Sequence, residues 1–327
     1  MRFSEERLDQ LFGAIRKTRL AVIGDLMLDS YVWGVVERIS PEAPVPVVTL
    51  TGESTNLGGA ANVAANVASL GAAVSVLGVV GDEREGDQLR ELVRKSGFSD
   101  EGIITDPSRP TSVKTRVIAQ NQHVVRIDRE RVMPLSQDRE DALLERFKAI
   151  LPTVNAVILE DYNKGVLTPR VIRDVIGMCR TAHILVGVDP KKDNFWQYKG
   201  ATLFKPNLRE IESGVGRPLR TDDDLIAAGY ELIEQMGVEY LLVTRGEQGM
   251  ALFHNGGVEM IPTRAHRVHD VSGAGDTVIA TIMTSLAGGA DIHEAAAIAN
   301  HAASIVIAEI GAAPVDAGEL RRVCLGR

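Results

Sequence analysis

The stretch DVSGAGDTV, Asp270 to Val278, sets two glycines around an alanine, follows them with an aspartate and runs into the apolar VIATIMTSLAGG. Glycines at 273 and 275 let consecutive backbone N–H groups converge. The helix that follows adds the positive end of its dipole, so the turn suits developing negative charge. Asp276 falls in the first turn of that helix, where dipole and amides keep it ionised. Such a carboxylate is a poor phosphate ligand but a plausible acceptor for a hydroxyl proton. Taken alone, the same residues are equally explained as an N-cap turn packed on a helix. Two familiar nucleotide loops are excluded: Gly-Lys, needed for GxxxxGK[ST], does not occur, and Val278 stands where a dinucleotide fingerprint needs its third glycine.

Other polar clusters close apolar, β-branched runs: GD at 24–25, EDYNKG at 160–165, DPKK at 189–192, KPN at 205–207 and TRG at 244–246. Runs of that kind alternate with amphipathic stretches such as EREGDQLRELVRKSG and TPRVIRDVIGMC, the pattern of a βαβ sheet. Ligands of parallel sheets sit at the carboxyl ends of the strands, so these clusters should face one crevice. Asn207 and Glu210 lie one helical turn apart, as N-cap and N3 residues do. Two segments break the alternation. VWGVVERISPEAPVPVV carries prolines at 41, 44 and 46, which exclude a helix and disfavour a central strand, and TSVKTRVIAQNQHVVRID holds two β-branched runs around QNQ. Both read as hairpins of a small β flap. The expected architecture is α/β with a mostly parallel sheet, one domain over residues 1–327, and a β lid from roughly 31–50 and 111–128.

Bulk properties narrow the class. The chain has 327 residues, a formal net charge of −8 and no run rich in Lys and Arg, so the footprint of a nucleic-acid binder is missing. Cys179 and Cys324 form no CxxC, and His266 and His269, three apart, have no third ligand nearby. No run of about 18 apolar residues appears, and a soluble cytoplasmic protein without membrane partners is expected.

DVSGAGDTV resembles the C-terminal signature of the ribokinase-like (PfkB) carbohydrate kinases, and GGAANVAANVASLGAAVSVLGVVGDEREG, Gly58 to Gly86, resembles their N-terminal one. KPNLRE and TRGEQG are similar to the family's NxxE and TxGxxG elements, so the resemblance covers nearly the whole chain. It implies a three-layer ribokinase-like α/β/α fold. GDLMLDSYVWGVVERISPEAPVPVV, EDYNKGVL and VDPKK further resemble the bacterial heptose 7-phosphate kinases of lipopolysaccharide inner-core synthesis.

That resemblance implies transfer of phosphate from ATP to the anomeric hydroxyl of D-glycero-β-D-manno-heptose 7-phosphate. Since the chain stops at Arg327, the monofunctional form with a separate adenylyltransferase is expected. Asp276 becomes the general base, and the amides of Gly273, Ala274 and Gly275 the anion hole. Asp29, Gly58, Gly59 and Asn62 contact the sugar. Asn207 and Glu210 hold Mg²⁺ through water, and Thr244, Gly246 and, on the following helix, Asn300 border the nucleotide. Asp270 and Ser272 lie where family members bind a monovalent cation such as K⁺, although Asp270 equally fits a turn cap.

A phosphorylated substrate also needs cations away from the ATP phosphates. Lys164, Lys191 and Arg126 are named for it, with Lys114, Arg116 and Lys192 as further candidates. A homodimer joined through the lid is expected. Two alternatives stay open: another PfkB kinase acting on fructose 6-phosphate, ribose or a nucleoside, and a non-catalytic nucleotide-binding regulator.

Overall fold

The computed structural model describes residues 3–120, 122–264, 273–308 and 314–327. Its strands are β1 (Arg19–Gly24), β2 (Leu26–Ile39), β3 (Pro46–Gly59), β4 (Ala73–Val80), β5 (Ile103–Thr105), β6 (Ser112–Ala119), β7 (Gln122–Arg129), β8 (Ala156–Glu160), β9 (Leu185–Asp189), β10 (Leu203–Phe204), β11 (Tyr240–Thr244), β12 (Met250–His254) and β13 (Gly257–Ile261). The helices are α1 (Glu5–Ile15), α2 (Ala60–Ser69), α3 (Arg84–Lys95), α4 (Gln137–Ile150), α5 (Pro169–Thr181), α6 (Leu208–Val215), α7 (Asp222–Met236), α8 (Ala274–Ala287), α9 (Ile292–Val306) and α10 (Ala317–Cys324).

Strand β1, RLAVIG, is apolar on both faces because helices cover both. Leu20 and Val22 join one core with α1, α2, α8 and α9, while Ala21 and Ile23 join the other with α4, α5 and α7. The same alternation in β8 sends Ala156 and Ile158 one way and Val157 and Leu159 the other. Fully buried side chains such as Phe147, Phe204 and Leu20 each contribute roughly 1.5–3 kcal/mol. The two cores thereby offset the unfavourable burial of polar groups at the strand ends. Helix ends follow local chemistry: Thr168 caps α5 ahead of Pro169, and Thr221 with Asp224 forms the capping box of α7.

Among the described residues the main sheet has nine strands in the order β13-β12-β11-β10-β9-β8-β1-β4-β5. Pairing is parallel from β11 through β5 and antiparallel between β11 and β12 and between β12 and β13, so β12 alone is reversed. The N-terminal segment is the amphipathic α1, burying Leu8, Leu11, Phe12 and Ile15.

A second sheet, in the order β3-β2-β6-β7, stands apart from the first. Its strands reach deeper than the span of roughly 31–50 drawn from sequence. β2 begins at Leu26 and β3 runs on to Gly59, because Leu26, Met27 and Leu28 are buried and continue the ladder into the core. Pro41 and Pro44 fall between β2 and β3, and Pro46 opens β3. The second hairpin joins the first through parallel pairing of β6 with β2.

Candidate active site

The carboxyl ends of β8, β9 and β10 meet the N-terminus of α8, where Glu160 and Asp189 approach Asp276 and Lys205 approaches Gly275. The loop after β8 is shaped by Asp25, a buried carboxylate that accepts N–H bonds from Tyr162 at 2.8 Å, Lys164 at 3.0 Å and Val166 at 3.1 Å. Burial and the neighbouring Asp161 charge push the Asp25 pKa up to about 6, although the three amides pull the other way. Asp161 in turn accepts from the Tyr198 hydroxyl at 2.6 Å and the Asn194 amide at 3.1 Å. The loop is therefore held from both sides, and it presents Tyr162 to α8.

Gly273 is the N-cap of α8 at φ 79°, a left-handed conformation that glycine adopts without strain, and Asp276 sits in the first turn. The Tyr162 hydroxyl donates to Asp276 Oδ1 at 2.9 Å, and Asn62 Nδ2 donates to Oδ2 at 2.7 Å. Asn62 is steadied by Asn66, whose Nδ2 donates to the Asn62 carbonyl at 3.0 Å. Burial raises the Asp276 pKa to about 6 and the Asp189 charge adds to it, while the Asn62 and Tyr162 hydrogen bonds oppose the rise. Asp276 is thus mostly ionised at neutral pH and still a usable proton acceptor.

Carboxyl oxygens of Glu160, Asp189 and Asp276, all buried, lie within 4.8 Å of one another. Lys205 Nζ bonds Asp189 Oδ2 at 2.8 Å, and Lys191 Nζ bonds Glu210 Oε1 at 2.6 Å while lying 3.7 Å from Asp189 Oδ1. Burial works against the charge of each lysine, but the carboxylates outweigh it and both pKa values rise. Among the described residues neither oxygen of Glu160 has a hydrogen-bond partner. Burial, followed by the charges of Asp189 and Asp276, holds the Glu160 pKa well above the usual carboxylate range.

On the side of the second sheet, Asp29 pairs with Arg116, and a side chain at Gly58 would put its Cβ 2.5 Å from Asp29 Oδ2. Lys114 lies opposite Asp29 in the β2–β6 register, and its Nζ stands 4.6 Å from the centroid of the Tyr162 ring. On the other side, Asn207 caps α6 in a full capping box with Glu210 and bridges to Thr244. Gly246 is exposed at φ 59° with open space where a side chain would stand.

Of the residues named from sequence, Asp276, Asn62, Lys191 and Glu210 therefore lie in or beside one cluster, while Asp29 and Gly58 lie on β2 and β3 of the second sheet. Gly59 caps α2. Lys164 is ion-paired with Glu130 at 2.6 Å, and Arg126 sits on the exposed β7, paired with Asp128 at 2.9 Å. The Asn300 amide donates to the Pro262 carbonyl at 2.9 Å, tethering the segment that follows β13. Asp270 and Ser272 lie outside the described residues. Glu160, Tyr162, Asp189 and Lys205 were not singled out from sequence, although each belongs to a polar cluster expected to face the crevice. Their position at a strand's carboxyl end was the usable signal.

A parallel sheet covered on both faces, with a carboxylate at a helix N-terminus in its crevice and a β flap beside it, has the layout of a small-molecule phosphotransferase. The chain belongs to the pfkB family of carbohydrate kinases, whose family model matches residues 17–317, and the α/β fold read from sequence stands. It is 45% identical over 314 residues to the bifunctional protein HldE of Pelobacter propionicus and 44% identical over 316 residues to that of Geobacter sulfurreducens, covering 96% of this chain in each case. The chain spans 64% of the length of both relatives. Among solved structures, Escherichia coli phosphofructokinase-2 in complex with potassium superposes with a TM-score of 0.78 at 20% identity, covering 95% of this chain and 99% of that one. Arabidopsis thaliana ribokinase complexed with ribose and ATP gives 0.72 at 20% identity over 93% and 99%. No helix among the described residues is long and apolar enough to cross a membrane.

Proposed function

We propose that this kinase transfers the γ-phosphoryl group of ATP to the anomeric hydroxyl of D-glycero-β-D-manno-heptose 7-phosphate, giving the 1,7-bisphosphate in the cytoplasm. The observation that carries the reading is Asp276, ionised at neutral pH and held by hydrogen bonds to both oxygens at the N-terminus of α8. The choice of sugar rests on GDLMLDSYVWGVVERISPEAPVPVV, EDYNKGVL and VDPKK, and on the similarity to HldE proteins. Asp276 takes the hydroxyl proton while the sugar oxygen forms its bond to phosphorus and the β–γ bridging bond breaks. Phosphoryl transfer has a loose transition state, so a weak base suffices when position and charge stabilisation come from elsewhere. Amides of Gly273, Ala274 and Gly275 supply that stabilisation, and closure of the lid over Asp29 and the sugar excludes water.

Mg²⁺ fits the donor set. Oxygen ligands suit it, and the oxygens of Glu160, unpartnered among the described residues, lie beside Asp189. Both Glu210 oxygens are engaged, by the Asn207 N–H and by Lys191, so Asn207 and Glu210 would act through water. When bound, the ion neutralises phosphate charge. A monovalent cation such as K⁺ at Asp270 and Ser272 belongs to the same proposal. So does a homodimer through the lid, which carries seven exposed large apolar residues, Ile39, Leu50 and Ile127 among them.

An ADP-release assay comparing heptose 7-phosphate with fructose 6-phosphate, ribose and nucleosides tests the substrate. The heptose is expected to give the highest kcat/KM, and absent turnover of it removes that reading. Asp276→Ala is expected to lower kcat by about 10²–10⁴-fold. Unchanged turnover would refute the mechanism.

A further inference from the structure

A sugar phosphate brings a second anion into the crevice, and six cations were candidates to receive it. Three of them already have partners. Lys164 is paired with Glu130, Arg126 with Asp128 and Lys191 with Glu210. A fourth, Arg116, is paired with Asp29, and Lys192 is exposed. Lys114 is different. It stands directly opposite Asp29 in the β2–β6 register, yet the Asp29 carboxylate turns to Arg116, and Lys114 has no hydrogen-bond or ion-pair partner among the described residues.

We propose that Lys114 is the residue of the lid that binds the substrate's phosphate monoester, and so selects a phosphorylated over an unphosphorylated sugar. The assignment rests on the sugar-phosphate reading above and deepens it.

Three observations carry it. Lys114, Arg116, Arg126 and Lys164 gather four positive charges against the three carboxylates of Asp29, Asp128 and Glu130, so among these residues one positive charge is uncompensated. The uncompensated group is half-buried, and burial pulls its pKa down against the attraction of Asp29 and Glu130, so its ammonium has lost water without forming an ion pair among the described residues. An incoming phosphate restores the missing charge partner. Finally, Lys114 lies over the same Tyr162 ring whose hydroxyl bonds the base. The phosphate and the reacting hydroxyl would then be separated by about one tyrosine side chain, a distance that a sugar ring with a phosphorylated tail spans. The lysine also sits on β6 of the lid, so the phosphate would draw the lid towards the base.

The test compares paired sugars, heptose 7-phosphate against the free heptose and fructose 6-phosphate against fructose, on the intact protein and on Lys114→Met and Lys114→Arg. Wild type is expected to favour the phosphorylated member of at least one pair. Lys114→Met should raise KM for that member by about ten- to a hundred-fold, the loss of a hydrogen bond to a charged group. KM for ATP, KM for the unphosphorylated sugar and the melting temperature should stay unchanged, and Lys114→Arg should restore most of the preference. Equal losses on both members of a pair, a preference that survives Lys114→Met, or no preference in wild type would each overturn the assignment. If wild type ignores the heptose pair but prefers fructose 6-phosphate, and Lys114→Met abolishes that preference, the heptose reading falls while the role of Lys114 stands.

Discussion

Replacing Tyr162 by Phe removes one oxygen and keeps the ring that stacks beneath Lys114 and Lys191, so the change isolates the hydrogen bond to Asp276. That bond favours the ionised carboxylate, and its loss must raise the pKa of the base above about 6. A hydrogen bond to a charged group is worth about 1.5–3 kcal/mol and one pKa unit about 1.4 kcal/mol, so the rise is about one to two units. The sign follows from the role of the group. A general base works when deprotonated, so activity is present above its pKa and is lost as pH falls through it. The acid limb of kcat/KM against pH should move from near 6 in wild type to about 7–8 in Tyr162→Phe. At pH 7 the ionised fraction drops from about nine-tenths to between a half and a tenth, giving roughly a two- to ten-fold loss that recovers near pH 9. Steady-state kinetics across pH 5–9.5 with saturating ATP would read this directly. A lowered plateau with the acid limb unmoved would refute the reasoning, because Tyr162 would then act on the substrate rather than through the base.

Glu160 has a raised pKa in the fold and an ordinary value of 4.5 when exposed, so the folded state holds its proton more tightly. Its contribution to stability is complete below pH 4.5 and is lost as pH rises through the folded value. Relative to Glu160→Gln, wild type should therefore lose stability on going from pH 5 to pH 8, seen as a widening gap in melting temperature. Parallel curves would show that Glu160 is not strained by charge. For the lid, sedimentation should give a dimer for wild type and a monomer for Ile39→Asp combined with Ile127→Asp, whose side chains are 61% and 56% exposed. A double variant that still sediments as a dimer removes the lid from the interface.

The apolar run of β1 and the Gly-rich turn into α8 were legible because their signals are local. Two-sided burial needs an unbroken apolar strand, and convergent amides need glycine. The Pro-rich segment announced a flap for the same reason, since proline forbids a helix wherever it occurs. The depth of that flap was not legible, because the strand from Leu26 to Leu28 reads the same whether it belongs to core or lid.

The sequence by itself determined the α/β alternation, the crevice at the strand ends and the position of Asp276 in the first turn of its helix, all of which follow from the chemistry of neighbouring residues. Only the tertiary structure decided who meets whom inside the crevice. Asn62 reaches Asp276 across 214 residues and Tyr162 across 114, the three lysines at 164, 191 and 205 find carboxylates, and Lys114 finds none among the described residues. Charge and type say that a lysine seeks an anion. Which anion it finds depends on strand register and on the packing of the surrounding loops, and those are settled by long-range contacts.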